Sequence, residues 1–231
     1  MFSKIKTIFF DLDNTLFDHR RSETETLKQL MHIHRNSFNG IPDKQLFETY
    51  DKHNTMLWRE MANGQITADQ LKIKRFRLTM NEVGIKNLDC EQLSKQYMQI
   101  YSAQRFVISG AHEILTYLKP KYNLGILSNG FTYTQETKLN NLGINPFFRY
   151  KVYSEEIGIL KPFPGIFSAA EKIVNASPDE LVYVGDSYET DIMGAKAANW
   201  NAVFFNPLQQ TYPIKCADAE IFELNALKEI F

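Results

Sequence analysis

Five short apolar runs punctuate the chain, at Thr7–Phe10, Asn123–Leu127, Tyr150–Tyr153, Leu181–Val184 and Ala202–Phe205. Each has the length of a buried strand and is bounded by polar or turn residues. Helix-like segments separate the later ones, at Gly110–Lys119, Thr134–Leu142, Pro164–Val174 and Thr190–Ala198. Strand and helix alternating in this way predict an α/β fold built on a parallel sheet covered on both faces.

The stretch from about Ser22 to Gln104 has another character, with four helical patterns and no strand. Leu27, Leu30, Met31 and His34 share a face, and Leu46, Phe47, Tyr50, Leu57, Trp58 and Met61 continue the helical period after Pro42. Thr67 to Gln70, "TADQ", is a capping box, Asp89 is a further N-cap candidate, and Leu93, Tyr97, Ile100 and Tyr101 recur on one face. The organisation expected is an α/β core, residues 1–18 and 105–231, interrupted after its first strand by an all-helical cap, residues 19–104.

Composition narrows the function. The 231 residues are 44% hydrophobic, enough for a large core. Their 26 Lys and Arg against 27 Asp and Glu, a formal charge of -1, supply no positive excess for a polymeric nucleic acid. Cys90 and Cys216 are far apart and in no C-x-x-C pattern, which argues against a disulfide framework and a thiolate zinc site. The N-terminus has no secretory h-region, and no apolar stretch reaches about 18 residues. A soluble cytoplasmic protein without a membrane partner is expected.

The chemistry concentrates where strands end. "TIFFDLDNTLFD" sets Asp11 and Asp13 just past the first strand, at the carboxyl edge where parallel sheets bind ligands. Two carboxylates this close are useful when a divalent cation or a shared proton offsets their repulsion. "GILSNG" ends the second strand with Ser128, Asn129 and Gly130, a hydroxyl and amides of the kind that hold phosphate oxygens. Lys161 precedes Pro162, which restricts the backbone before it. "LVYVGDSYETD" ends the fourth run with Gly185 and Asp186 and adds Asp191 at a helix start, where an acidic cap is also ordinary. Each signal alone has a bland reading; the ordered set is improbable by chance.

That set resembles the four motifs of the haloacid dehalogenase superfamily over essentially the whole chain, and the helical insert lies where its C1 caps lie. Within the superfamily, "LWREMANGQIT", "GILSNGFT" and "SEEIGILKP" resemble bacterial pyrimidine 5'-nucleotidases of the YjjG type. The resemblance implies a Rossmann-like doubly wound core and a Mg²⁺-dependent phosphomonoesterase. Asp11 is then the nucleophile, forming an aspartyl-phosphate, and Asp13 the acid and base, its proton retained by burial and neighbouring negative charge. Mg²⁺ is held by the carboxylates of Asp11 and Asp186 and the carbonyl of Asp13. Lys161, Ser128 and the amides of Leu12 and Asn129 take the phosphate; Thr15 orients Asp13 or Asp11, and Asp191 stands behind the metal site.

The implied partner is a small phosphorylated metabolite, a nucleoside monophosphate first, acted on by a monomer or weak homodimer. Rival readings are a 2-haloacid dehalogenase, which lacks the acid at the second position, a sugar-phosphate phosphatase, a phosphomutase, and a catalytically silent binding protein. His19, beside the D-x-D loop, is a candidate substrate contact. His32 and His34 fall on different helix faces and make no zinc pair. Tyr50 and Trp58 read as cap core, with stacking on a base as the sharper alternative.

Overall fold

The computed structural model describes residues 2–231, which divide into two compact units. One comprises the residues up to His19 with Arg105–Phe231; the other is Arg20–Gln104.

The first unit is built on a six-stranded parallel sheet: β1 (Thr7–Phe10), β2 (Asn123–Ser128), β3 (Tyr150–Tyr153), β4 (Leu181–Gly185), β5 (Asn201–Phe205) and β6 (Ala219–Ile221), in the order β3-β2-β1-β4-β5-β6. This is the doubly wound order, in which the sequence of strands reverses beside β1 and opens a crevice at the carboxyl ends. Phe10 is in register with Ile126 on one side and Val184 on the other, so β1, β4 and β2 end within two residues of one another at the same edge of the sheet. All of β1 and β4 is buried, as a central strand covered on both faces must be. Phe9 joins Leu127, Val152, Phe167, Tyr183 and Trp200 in one core cluster, and the period-2 alternation turns Ile8 and Phe10 to the other face.

β6 escaped the sequence reading, being only three residues long with Glu220 in its middle. The predicted helix at Thr190–Ala198 begins earlier, as a π turn over Tyr188–Ile192 that runs into a short α-helix at Met193–Ala197.

The second unit holds α1 (His19–Ile33), α2 (Asp43–Ala62), α3 (Ala68–Glu82) and α4 (Cys90–Ser102); α1 starts at the last residue of the first unit. Thr67 and Gln70 close the capping box at the start of α3, and the Asp89 side chain accepts from the amides of Glu91 and Gln92 to start α4. Tyr50, Phe76 and Tyr97 pack as a fully buried aromatic cluster around the Arg75 guanidinium, which lies 4.7 Å from the Tyr97 ring centre. Tyr50 is thus a core residue of this unit; Trp58 is half-buried. Among the described residues no helix is long and apolar enough to cross a membrane.

Candidate active site

Asp11 leaves β1 with its amide still bonded to the Val184 carbonyl of β4, so the sheet itself fixes the start of the loop. The chain then turns sharply. Asn14 takes φ 59°, a left-handed conformation that Asn tolerates better than most residues, and the Leu12 carbonyl accepts from the amides of Leu16 and Phe17. This local winding separates Asp11 and Asp13, which are two residues apart but face different partners.

Asp11 faces Lys161. The buried Lys161 ammonium donates to Asp11 Oδ1 at 2.8 Å, to Asp191 Oδ1 at 2.7 Å and to the Tyr183 hydroxyl at 2.7 Å. The Tyr183 hydroxyl donates in turn to the Leu127 carbonyl at 2.6 Å, so all three N–H bonds of the lysine and the tyrosine behind it are directed. Burial disfavours the charge on Lys161, but Asp11 and Asp191 outweigh it and hold the ammonium more tightly protonated than usual. The Asn129 side chain clamps the lysine backbone from both sides, Oδ1 accepting from the Lys161 amide at 2.7 Å and Nδ2 donating to its carbonyl at 3.0 Å.

Asp186 follows β4, and its Oδ1 accepts from the Thr15 hydroxyl at 3.3 Å. Thr15 therefore orients Asp186, where the sequence suggested Asp13 or Asp11. Carboxylate oxygens of Asp11, Asp186 and Asp191 lie within 4.8 Å of one another. Burial, then the neighbouring carboxylates, push Asp11 up to about 7 against the pull of Lys161, and drive Asp186 well above the usual carboxylate range. Asp191 is engaged on both oxygens, by Lys161 and Thr190 on Oδ1 and by the Ser187 amide on Oδ2 at 3.0 Å. It braces the cluster from behind. Gly185 makes room for it, because a Cβ there would stand 2.3 Å from Asp191 Oδ2.

A cluster of buried oxygen donors carrying more negative charge than Lys161 offsets is the donor set a hard divalent cation takes. The residues fit Mg²⁺ on that ground, with Asp11 and Asp186 as the side chains available to it. The Asp13 carboxylate lies outside this cluster.

Asp13 is held elsewhere. The α6 helix (Thr132–Asn141), which follows α5 (Ala111–Leu118), turns Gln135 and Lys138 toward it. Lys138 Nζ donates to Asp13 Oδ1 at 2.5 Å and Gln135 Nε2 to Oδ2 at 2.8 Å. Burial raises the Asp13 carboxyl, but the Lys138 charge, then His19 and the two hydrogen bonds, prevail and bring it down to about 2. The expectation that neighbouring negative charge keeps a proton on Asp13 is thereby corrected: a lysine that the sequence reading missed holds it ionised.

Gln135 also donates to Ser128 Oγ at 2.7 Å, and the Gly130 amide donates to the same oxygen at 3.1 Å. Gly130 must lack a side chain here, since a Cβ would meet the Gln135 amide at 2.4 Å. With both lone pairs of its oxygen engaged, Ser128 has its own O–H left to offer a ligand.

The HAD-hydrolase YfnB of Bacillus subtilis, whose solved structure is bound to magnesium, matches this chain with a TM-score of 0.88 at 28% identity, covering 98% of each. The pyrimidine 5'-nucleotidase YjjG of Escherichia coli is 30% identical over 89% of this chain and 88% of its own length. The pyrimidine 5'-nucleotidase PynA of Streptococcus pneumoniae is 28% identical over 94% and 97%. The family model described as haloacid dehalogenase-like hydrolase matches residues 5–199, across β1, Ser128, Lys161 and Asp191 alike, and the chain belongs to that family of hydrolases.

Proposed function

We propose that this protein is a Mg²⁺-dependent phosphomonoesterase working through an aspartyl-phosphate on Asp11, and that its substrates are pyrimidine nucleoside 5'-monophosphates. The observation that carries the reading is the separation of the two loop carboxylates. Asp11 lies in the acidic cluster against Lys161, and Asp13 lies apart from it, bonded through both of its oxygens. One is arranged as a nucleophile beside a cation site, the other as a proton carrier.

Lys161 occupies Asp11 Oδ1, which leaves Oδ2 to attack phosphorus. The Ser128 O–H and the amides of Leu12 and Asn129 are the donors for the phosphate oxygens, and Lys161 adds positive charge beside them. Asp11, Asp186 and the Asp13 carbonyl would hold Mg²⁺, which would supply charge neutralisation between a carboxylate and a phosphate dianion. Asp13 is ionised in the substrate-free protein and must gain a proton as the ester arrives. The negative charge that the phosphate brings beside Asp13 favours that protonation, and the proton comes from solvent. Asp13 then hands it to the departing alkoxide, and in the second step takes one from the water that opens the aspartyl-phosphate.

A dehalogenase has no use for an acid at the second position, which weighs against that rival. The nucleotide preference rests on the two relatives that carry pyrimidine 5'-nucleotidase in their names. The test is kcat/KM across UMP, dUMP, dTMP, AMP, GMP, sugar phosphates and phosphoserine, with Mg²⁺ and with EDTA. Pyrimidine nucleotides should lead and EDTA should stop all of it. A sugar phosphate ahead by tenfold or more would overturn the substrate class and leave the chemistry standing; full turnover in EDTA would overturn the mechanism.

A further inference from the structure

We propose that Lys138 is the positioning residue for Asp13, and that through Gln135 the same helix ties the Asp13 loop to the Ser128 loop. This rests on the reading of Asp13 as the proton carrier.

The geometry carries it. The Lys138 side chain is 2% exposed, while the Asp13 side chain it meets is 27% exposed. A lysine that needed only a counter-ion would keep its ammonium in water and let the chain stem cover the core. Here the ammonium is taken inside, 2.5 Å from Asp13 Oδ1 and 4.5 Å from the centre of the Phe17 ring, with the cost of removing it from water met by those contacts. Gln135, wholly buried one turn earlier on the same face, spends one amide N–H on Asp13 Oδ2 and the other on Ser128 Oγ. Each oxygen of Asp13 thus has its own donor, which fixes the plane of the carboxylate as well as its position. The loop alone cannot do this. Asp13 stands three residues past the end of β1, and χ1 and χ2 of an aspartate offer several ways to turn the group away from a leaving oxygen.

A proton carrier must meet the leaving oxygen at hydrogen-bond distance and in line, so a carboxylate set loose slows both the departure of a poor leaving group and the later hydrolysis of the aspartyl-phosphate, and only the first depends on which group leaves. That gives a reading that general damage to the fold does not imitate. Phenyl phosphate and p-nitrophenyl phosphate are alike in size, but nitrophenolate leaves without needing a proton. Lys138→Met in the full-length protein with Mg²⁺ should lower kcat/KM, which reports the step in which the group leaves, at least about tenfold more for phenyl phosphate than for p-nitrophenyl phosphate. Gln135→Met, which keeps the volume and removes both N–H donors, should shift the ratio in the same direction and serves if Lys138→Met does not fold.

Asp13→Asn is the reference. If it shows the split and neither helix variant does, Lys138 is a structural residue and the inference falls alone. A rise in KM for both substrates with kcat intact would make Lys138 a phosphate ligand and overturn it too. If Asp13→Asn shows no split, the reading of Asp13 fails and the inference goes with it.

Discussion

Asp11 and Asp13 are two residues apart in sequence and opposite in electrostatics, about 7 against about 2, because burial among carboxylates raises one and Lys138 lowers the other. A divalent cation on Asp11 would favour its ionised form as nucleophile, and a phosphate beside Asp13 would favour protonation there. Asp11→Asn should therefore reduce turnover by about a thousandfold or more, by removing the nucleophile at constant volume, with thermal unfolding unchanged or slightly raised because one buried charge is gone. Steady-state kinetics and a melting curve check both halves. Tyr183→Phe is subtler. It removes the oxygen that accepts from Lys161 and the donor that satisfies the Leu127 carbonyl, so stability should fall by about 1–2 kcal/mol and kcat/KM by roughly tenfold as the lysine loses one of three anchors. Neither Tyr183 nor Lys138 was legible in the sequence. Asp11, Ser128, Lys161 and Asp186 stand out because each sits beside a turn or proline at the end of a recognisable run. Lys138 lies mid-helix, 125 residues from the aspartate it meets, in a segment whose string, "TYTQETKLNN", reads as an ordinary polar helix.

At the scale of elements, what could be read was what periodicity and punctuation report. β1, β3 and the helix over Pro164–Val174 have the bounds their patterns suggest, since apolar runs and a proline at a helix start are local signals. β6 and the π turn are set by packing against β5 and by the acidic cluster, which no local pattern announces. The turn after β4 shows how tightly element and site are joined. Gly185 ends the strand against the Asp191 carboxylate, and that carboxylate in turn accepts the Ser187 amide and holds Lys161. Gly185→Ala should push Asp191 aside, cost about 1–3 kcal/mol from overpacking, and lower kcat at least about tenfold by releasing Lys161. In the helical unit, Thr67→Ala removes the hydroxyl that accepts from the Gln70 amide and should cost about 1 kcal/mol, measurable by chemical unfolding.

For the whole molecule the balance is electrical. The chain is nearly neutral, yet it gathers three buried or half-buried carboxylates around one lysine, an excess of acid groups that the metal-free fold relieves by holding protons. The sign of its pH dependence follows. Asp11 keeps its proton in the folded chain up to about pH 7, whereas in the unfolded chain it loses it near its ordinary value of 3.8, and Asp186 departs in the same direction. Between those limits the folded state binds more protons than the unfolded one, so the contribution of Asp11 to stability declines as pH rises from about 4 to 7 and is level above, and Asp186 acts in the same sense. A divalent cation binds the deprotonated form and competes with those protons. Mg²⁺ should accordingly raise the melting temperature more at pH 8 than at pH 5.5, with apparent affinity roughly tenfold or more weaker at the lower pH. Asp11→Asn should flatten most of that dependence, because it takes away a titrating ligand and leaves Asp186 as the remaining one. Thermal shifts over a Mg²⁺ series at the two pH values measure this without any substrate, so they test the cation site independently of the reaction. A shift equal at both pH values in the unsubstituted protein would mean that Mg²⁺ binds without displacing protons from these carboxylates.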